Sequence, residues 1–143
     1  ITDQSQVAIY ETVLGDTNAD ITHVLLHADT YLKENRVPPQ GFTNAQANLI
    51  EPQTLPAGIS GDADFNADNN QEGSGSDTVH YRVSVDGQNG PYSVDAQLLY
   101  QTIQPSFVTS LHADAGKVNR FKVMYATNPP AVETLAQSSA ITN

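Results

Sequence analysis

The chain has 143 residues, enough to bury a core without disulfide or metal staples. Lys and Arg number 6 against 16 Asp and Glu, a formal charge of -10 that repels phosphate backbones and anionic bilayers and excludes nucleic acid as a partner. There is no cysteine, hence no disulfide, no thiolate metal site and no covalent haem through CxxCH; no run of about 18 apolar residues offers a membrane span.

The chain starts at Ile1, as a processed product or a piece of a longer protein would. Little lysine and much Asp, Asn, Gln, Thr and Ser suit a secreted bacterial domain, periplasmic or extracellular. Residues 6–14, QVAIYETVL, are rich in β-branched and aromatic side chains and predict a strand. Gly15, Asp16, Thr17 and Asn18 end it as a turn. Residues 21–35 read two ways. Ile21, Val24, Leu25, Ala28, Tyr31 and Leu32 fall at helical spacing, and Asp20 is a fitting N-cap. Thr22, His23, Val24 and Thr30 are mediocre helix formers, and Pro38-Pro39 demands extended backbone before it. A strand over 21–28 is the favoured reading.

Residues 38–60 carry four prolines and read as loop, with Phe42 as an anchor to the core. Residues 61–77, GDADFNADNNQEGSGSD, read as a polar, mobile loop outside the core. Next comes the clearest pattern. Val79, Tyr81, Val83 and Val85 alternate with polar residues, and Tyr92, Val94, Ala96, Leu98 and Tyr100 do so again. Asp86-Gly87 and Asn89-Gly90-Pro91 lie between them, so the two runs predict a β-hairpin with Val83, Val94 and Leu98 buried. A short helix is expected over 105–111, a second short helix or a strand over 114–125, and a last strand over 131–141. Strands joined by loops, without regular helical partners, predict a mostly β fold. The expectation is one antiparallel β-sandwich over residues 1–143 with one or two short helices.

Three groups of residues are candidates for chemistry. Asp62, Asp64, Asn66 and Asp68 stand at every second position, a spacing that can aim four oxygens at one calcium ion. The EF-hand pattern is incomplete, because Ala67 replaces its glycine and Gly73 its bidentate glutamate; the plain alternative is a solvated loop. His23 and His27 share a face on a helix or a strand, yet zinc needs three or four ligands and the HExxH glutamate is missing; His80 and His112 lie elsewhere in sequence. The six tyrosines offer a sugar-stacking platform or ordinary core positions, and their alternation favours the core. There is no GxSxG, P-loop or GxGxxG motif, so the chain reads as a non-catalytic domain more readily than as an enzyme.

The order of segments also carries a resemblance. QVAIYETVLGD, a run ending YLKENRVPPQGF, an acidic loop, VHYRVSVDG with GPYSVDAQLLYQTI, then RF and a final ETLA strand follow one another. The chain resembles the haem-free C-terminal region of bacterial multihaem c-type cytochrome-related proteins of the periplasm or cell surface. Residues 31–42 and 81–101 match best. The resemblance implies an accessory or assembly domain of an electron-transfer system, with haem held only by a partner domain or subunit. A carbohydrate-binding module of a secreted protein is the alternative expectation.

Overall fold

Thr12–Gly15 (β1) is the middle strand of a three-stranded antiparallel sheet, between Ile21–Thr22 (β2) and Thr30–Glu34 (β3). The computed structural model describes residues 3–44, 57, 59, 61–111 and 116–142. They fall into two compact units, Ile1–Val83 and Ser84–Asn143.

In the first unit, Leu14 opposes Thr22 on one side of β1 and Tyr31 on the other, and the β1–β3 ladder is irregular between Val13 and Leu14. The turn after β1 is an aspartate turn. Asp16 Oδ1 accepts from the Asn18 and Asp20 amides at 2.8 and 3.1 Å, which lets Ala19 take φ 63°. The strand expected over 6–14 is shortened to β1. Upstream of Thr12 one long backbone bond remains, from the Asn35 N–H to the Glu11 carbonyl at 3.4 Å, and side chains then take over: Lys33 Nζ and Asn35 Nδ2 both donate to the Ile9 carbonyl, at 2.8 and 3.0 Å. The strand expected over 21–28 is also shorter. Thr22 Oγ1 accepts the Val24 N–H at 3.2 Å, a local bond that competes with the sheet, and a 3-10 turn follows over Leu25–His27.

Glu34 is the latch of this sheet. It is 7% exposed and its carboxylate is fully occupied. Arg36 Nε and Nη2 grip it bidentately at 2.8 and 2.7 Å, and Thr12 Oγ1 donates across from β1 at 2.7 Å. Its main chain exchanges bonds with Ala57 at 2.9 and 3.1 Å. Burial pushes the Glu34 carboxyl upward, but the Arg36 guanidinium, the Thr12 hydroxyl and the Arg36 amide together outweigh it and hold the carboxyl below its usual range.

Residues 61–77, expected to stay outside the core, form part of it. Ala67–Asp68 (β4) pairs with Gln71–Glu72 (β5), and the connecting Asn69 and Asn70 both have positive φ, 49° and 61°. That is the backbone of a two-residue type I′ hairpin, which asparagine tolerates better than most residues. Just before it lie Phe65, 7% exposed and the one buried hydrophobic side chain among the described residues, and Asn66, 4% exposed.

The second unit holds Tyr92–Tyr100 (β6), Pro105–Ser110 (α1), Gly116–Thr127 (α2) and Glu133–Thr142 (β7). Pro105 sits at the start of α1, where its missing N–H costs nothing. The segment expected as helix or strand over 114–125 resolves as helix α2, and the last strand is β7. β6 and β7 form a two-stranded antiparallel ribbon in which Val94 opposes Ala140, Ala96 opposes Ser138 and Leu98 opposes Ala136.

The expected hairpin is therefore corrected. Residues 79–85 form no strand, and β6 takes β7 as its neighbour. Period-two alternation says which side chains share a face; it does not say which strand pairs with which. The expected burial is corrected too: Val83, Val94 and Leu98 are 72%, 56% and 52% exposed. A two-stranded ribbon has no second layer to cover its face. Pairing is antiparallel throughout, as expected, but the sheets have two or three strands, helices stand beside them, and no closed sandwich is formed among the described residues.

Candidate functional site

Two polar clusters in the first unit gather ionisable groups. At the first, Tyr10 donates its hydroxyl to Asp77 Oδ2 at 2.5 Å, while Asp77 Oδ1 is buried with no donor among the described residues. Burial, followed by the hydrogen bond and negative charge of Asp77, pushes the Tyr10 phenol well above its ordinary value of 10.0. The phenol is thereby held as a neutral donor, unsuited to act as a base or nucleophile near neutral pH. At the second, His80 Nε2 lies 3.0 Å from Asp64 Oδ2, with both side chains largely exposed. An exposed pair of this kind adds little stability.

The four residues expected to face calcium point in different directions. Asp64 faces His80. Asp62 Oδ1 accepts from the Asp64 amide at 3.3 Å. Asn66 turns inward, where Nδ2 donates to the Phe42 carbonyl at 2.9 Å and Oδ1 accepts from the Gly75 amide at 3.0 Å. Asp68 stands on β4 opposite Gln71. Among the described residues, no three His, Cys, Asp or Glu side chains are grouped to hold a metal ion. His23 lies just after β2 and His27 ends the 3-10 turn, while His112 lies outside the described residues. Because Asn66 and Asp64 are committed elsewhere, neither calcium nor EDTA is expected to move the melting temperature. A rise with calcium, by mass action on the folded state, would show that the four oxygens can be brought together.

The protein-family models, the curated proteins and the solved structures contain no match to this chain.

What remains prominent is apolar surface in the second unit. Tyr92, Val94, Ala96, Leu98 and Tyr100 alternate onto one face of the ribbon, beside Ala136, Ser138 and Ala140, with Thr142 opposite Tyr92 and Glu133 opposite Tyr100. Val94, Leu98 and Tyr100 are 51–56% exposed. The opposite face carries Ser93, Asp95, Gln97, Gln137 and Ser139, with Ser139 Oγ donating to Asp95 Oδ1 at 2.5 Å, and exposed Leu99 and Ile141 toward its two ends. A second apolar feature is an open groove of about 260 Å³ lined by Phe107, Leu111, Lys117, Val118 and Phe121. Both features are apolar surface of a kind that suits contact. The expected hairpin pointed to one half of the ribbon. Its other half, β7, answers to the strand expected over 131–141, but the small residues Ala136, Ser138 and Ala140 carry little hydrophobic contrast and gave no sign that it pairs with β6.

The Tyr10–Asp77 bond gives a pH prediction. A phenol raised on folding contributes stability that is fully present below pH 10.0, its unfolded value, and is lost as pH climbs toward the higher folded value. The melting temperature should therefore fall as pH rises above about 10, and Tyr10→Phe should flatten part of that fall. An unchanged slope in Tyr10→Phe would remove this bond from the account.

Proposed function

We propose that the chain acts by contact, as a non-catalytic accessory or assembly domain of an extracytoplasmic multihaem electron-transfer system. The observation that carries this reading is the apolar face of the β6–β7 ribbon, with Val94, Leu98 and Tyr100 half exposed. Scattered exposed apolar residues are ordinary, but a contiguous stripe on a paired ribbon marks a surface meant to be covered. The ribbon forms one layer of a β-sandwich and the partner supplies the other. The haem-bearing partner is inferred from the resemblance in residues 31–42 and 81–101. The second of these stretches contains β6. The place of action that goes with it is the periplasm or cell surface. The charge of -10 favours a basic patch on the partner, within the roughly 8–10 Å over which salt leaves such a field intact. A lasting contact buries roughly 1,000 Å² or more.

The test is direct binding of the purified chain to a multihaem c-type cytochrome, read by the Soret band retained on immobilised chain. Retention should disappear in a Val94→Glu, Leu98→Glu variant that keeps its circular dichroism. Absence of retention by the parent chain would defeat the reading. A second reading, a carbohydrate-binding module, draws on Tyr92 and Tyr100, aromatic rings on the same ribbon face, Tyr100 being 51% exposed. Retardation on a polysaccharide matrix, lost in Tyr100→Ala, would favour it instead.

A further inference from the structure

The ribbon has an open edge as well as an open face. β6 is paired with β7 on one side, and among the described residues no strand adjoins its other side. In such a ribbon the outward N–H and C=O groups of the edge strand form a template for another strand. Edges of this kind are usually blunted by lysine, proline or a covering loop. β6, YSVDAQLLY, contains neither lysine, arginine nor proline, and its one charge is Asp95.

The sequence of β6 also complements itself. Antiparallel pairing of two copies about Ala96 sets Val94 opposite Leu98 of the second copy, Asp95 opposite Gln97, and Tyr92 opposite Tyr100. Apolar meets apolar on one face, aromatic meets aromatic at both ends, and the two aspartates avoid each other. β7 offers no equal match. Pairing it with itself about Ser138 sets Leu135 opposite Ile141, but otherwise joins small or polar residues, Ala136 to Ala140 and Gln137 to Ser139, with no aromatic pair.

We infer that β6 pairs with β6 of a second copy, so that two ribbons join into one four-stranded antiparallel sheet in the order β7-β6-β6-β7. The pairing doubles the width of the apolar face. It stands apart from the proposed electron-transfer role, because it requires only this chain. An edge of nine residues falls short of the roughly 1,000 Å² of a tight interface, so the association is of micromolar strength and reversible.

Sedimentation velocity over a concentration series, from low to high micromolar and with no haem protein present, tests it. The parent chain should pass from monomer to dimer. Gln97→Asp sets like charges opposite each other twice in the dimer, whereas in the single ribbon position 97 faces only Gln137. It should weaken dimerisation about tenfold. Adding Asp95→Asn to Gln97→Asp removes the repulsion, keeps an acceptor for Ser139, and should restore the dimer. This rescue separates lost pairing from lost folding. A chain that stays monomeric throughout, or a dimer indifferent to Gln97→Asp, would overturn the inference.

Discussion

Phe65→Ala is expected to lower the stability of the first unit by about 3–5 kcal/mol, the usual loss for a buried phenylalanine. The expectation follows from burial: Phe65 is 7% exposed, while every other large apolar side chain among the described residues is half-buried or exposed. A domain with stability of roughly 5–15 kcal/mol would then sit near its unfolding threshold at ordinary temperature. A urea titration followed by far-ultraviolet circular dichroism measures the shift in midpoint. Phe65→Leu, which keeps most of the apolar volume, should recover a large part of the loss. A change within about 0.5 kcal/mol for Phe65→Ala, as at surface positions, would remove residues 61–77 from the core of this unit.

That expectation marks where the sequence was readable and where it was not. The alternation of Tyr92, Val94, Ala96, Leu98 and Tyr100 is a strand in the structure, and Pro105 opens a helix where proline belongs. These are local properties, set by the side-chain period and by backbone chemistry. The partner of β6 is a non-local property. Residues 79–85 carry the stronger alternation, yet β7, more than thirty residues further on, takes the pairing. The acidic stretch failed for another reason. Its single aromatic was outvoted by surrounding Asp, Asn and Gly, although Asn69-Asn70 between two short arms was itself a hairpin signal. At the candidate site, spacing alone set Asp62, Asp64, Asn66 and Asp68 on a common pattern. It did not reveal that the Asn66 carboxamide is consumed by Phe42 and Gly75, because residues distant in sequence supply those partners.

Asn66→Ala should cost about 2–4 kcal/mol, through two separate losses. The first is hydrogen bonding. The Phe42 carbonyl and the Gly75 amide both bond to this one side chain, at 2.9 and 3.0 Å, and the residue is 4% exposed. Removing the carboxamide leaves a donor and an acceptor without it in a place water reaches poorly. The second is backbone conformation. Asn66 has φ 52°, a region asparagine visits readily and alanine does not. Asn66→Gly separates the two, since glycine keeps the conformation and loses only the bonds; it should be the milder variant. Asn66→Asp should be at least as harmful as Asn66→Ala, because it turns an oxygen toward the Phe42 carbonyl. Hydrogen exchange at the Gly75 amide reads the bond itself, and exchange there should quicken in Asn66→Ala and Asn66→Gly but not in Asn66→Asp, whose carboxylate still accepts from it. If Gly75 exchanges at the parent rate in Asn66→Ala, the carboxamide is not what holds residues 40–42 against residues 73–76. The Gly41 N–H bond to the Gly73 carbonyl, at 2.8 Å, would then be what joins the two segments, with Gly75 permitting the approach because a Cβ there would lie 2.6 Å from the Gln40 nitrogen.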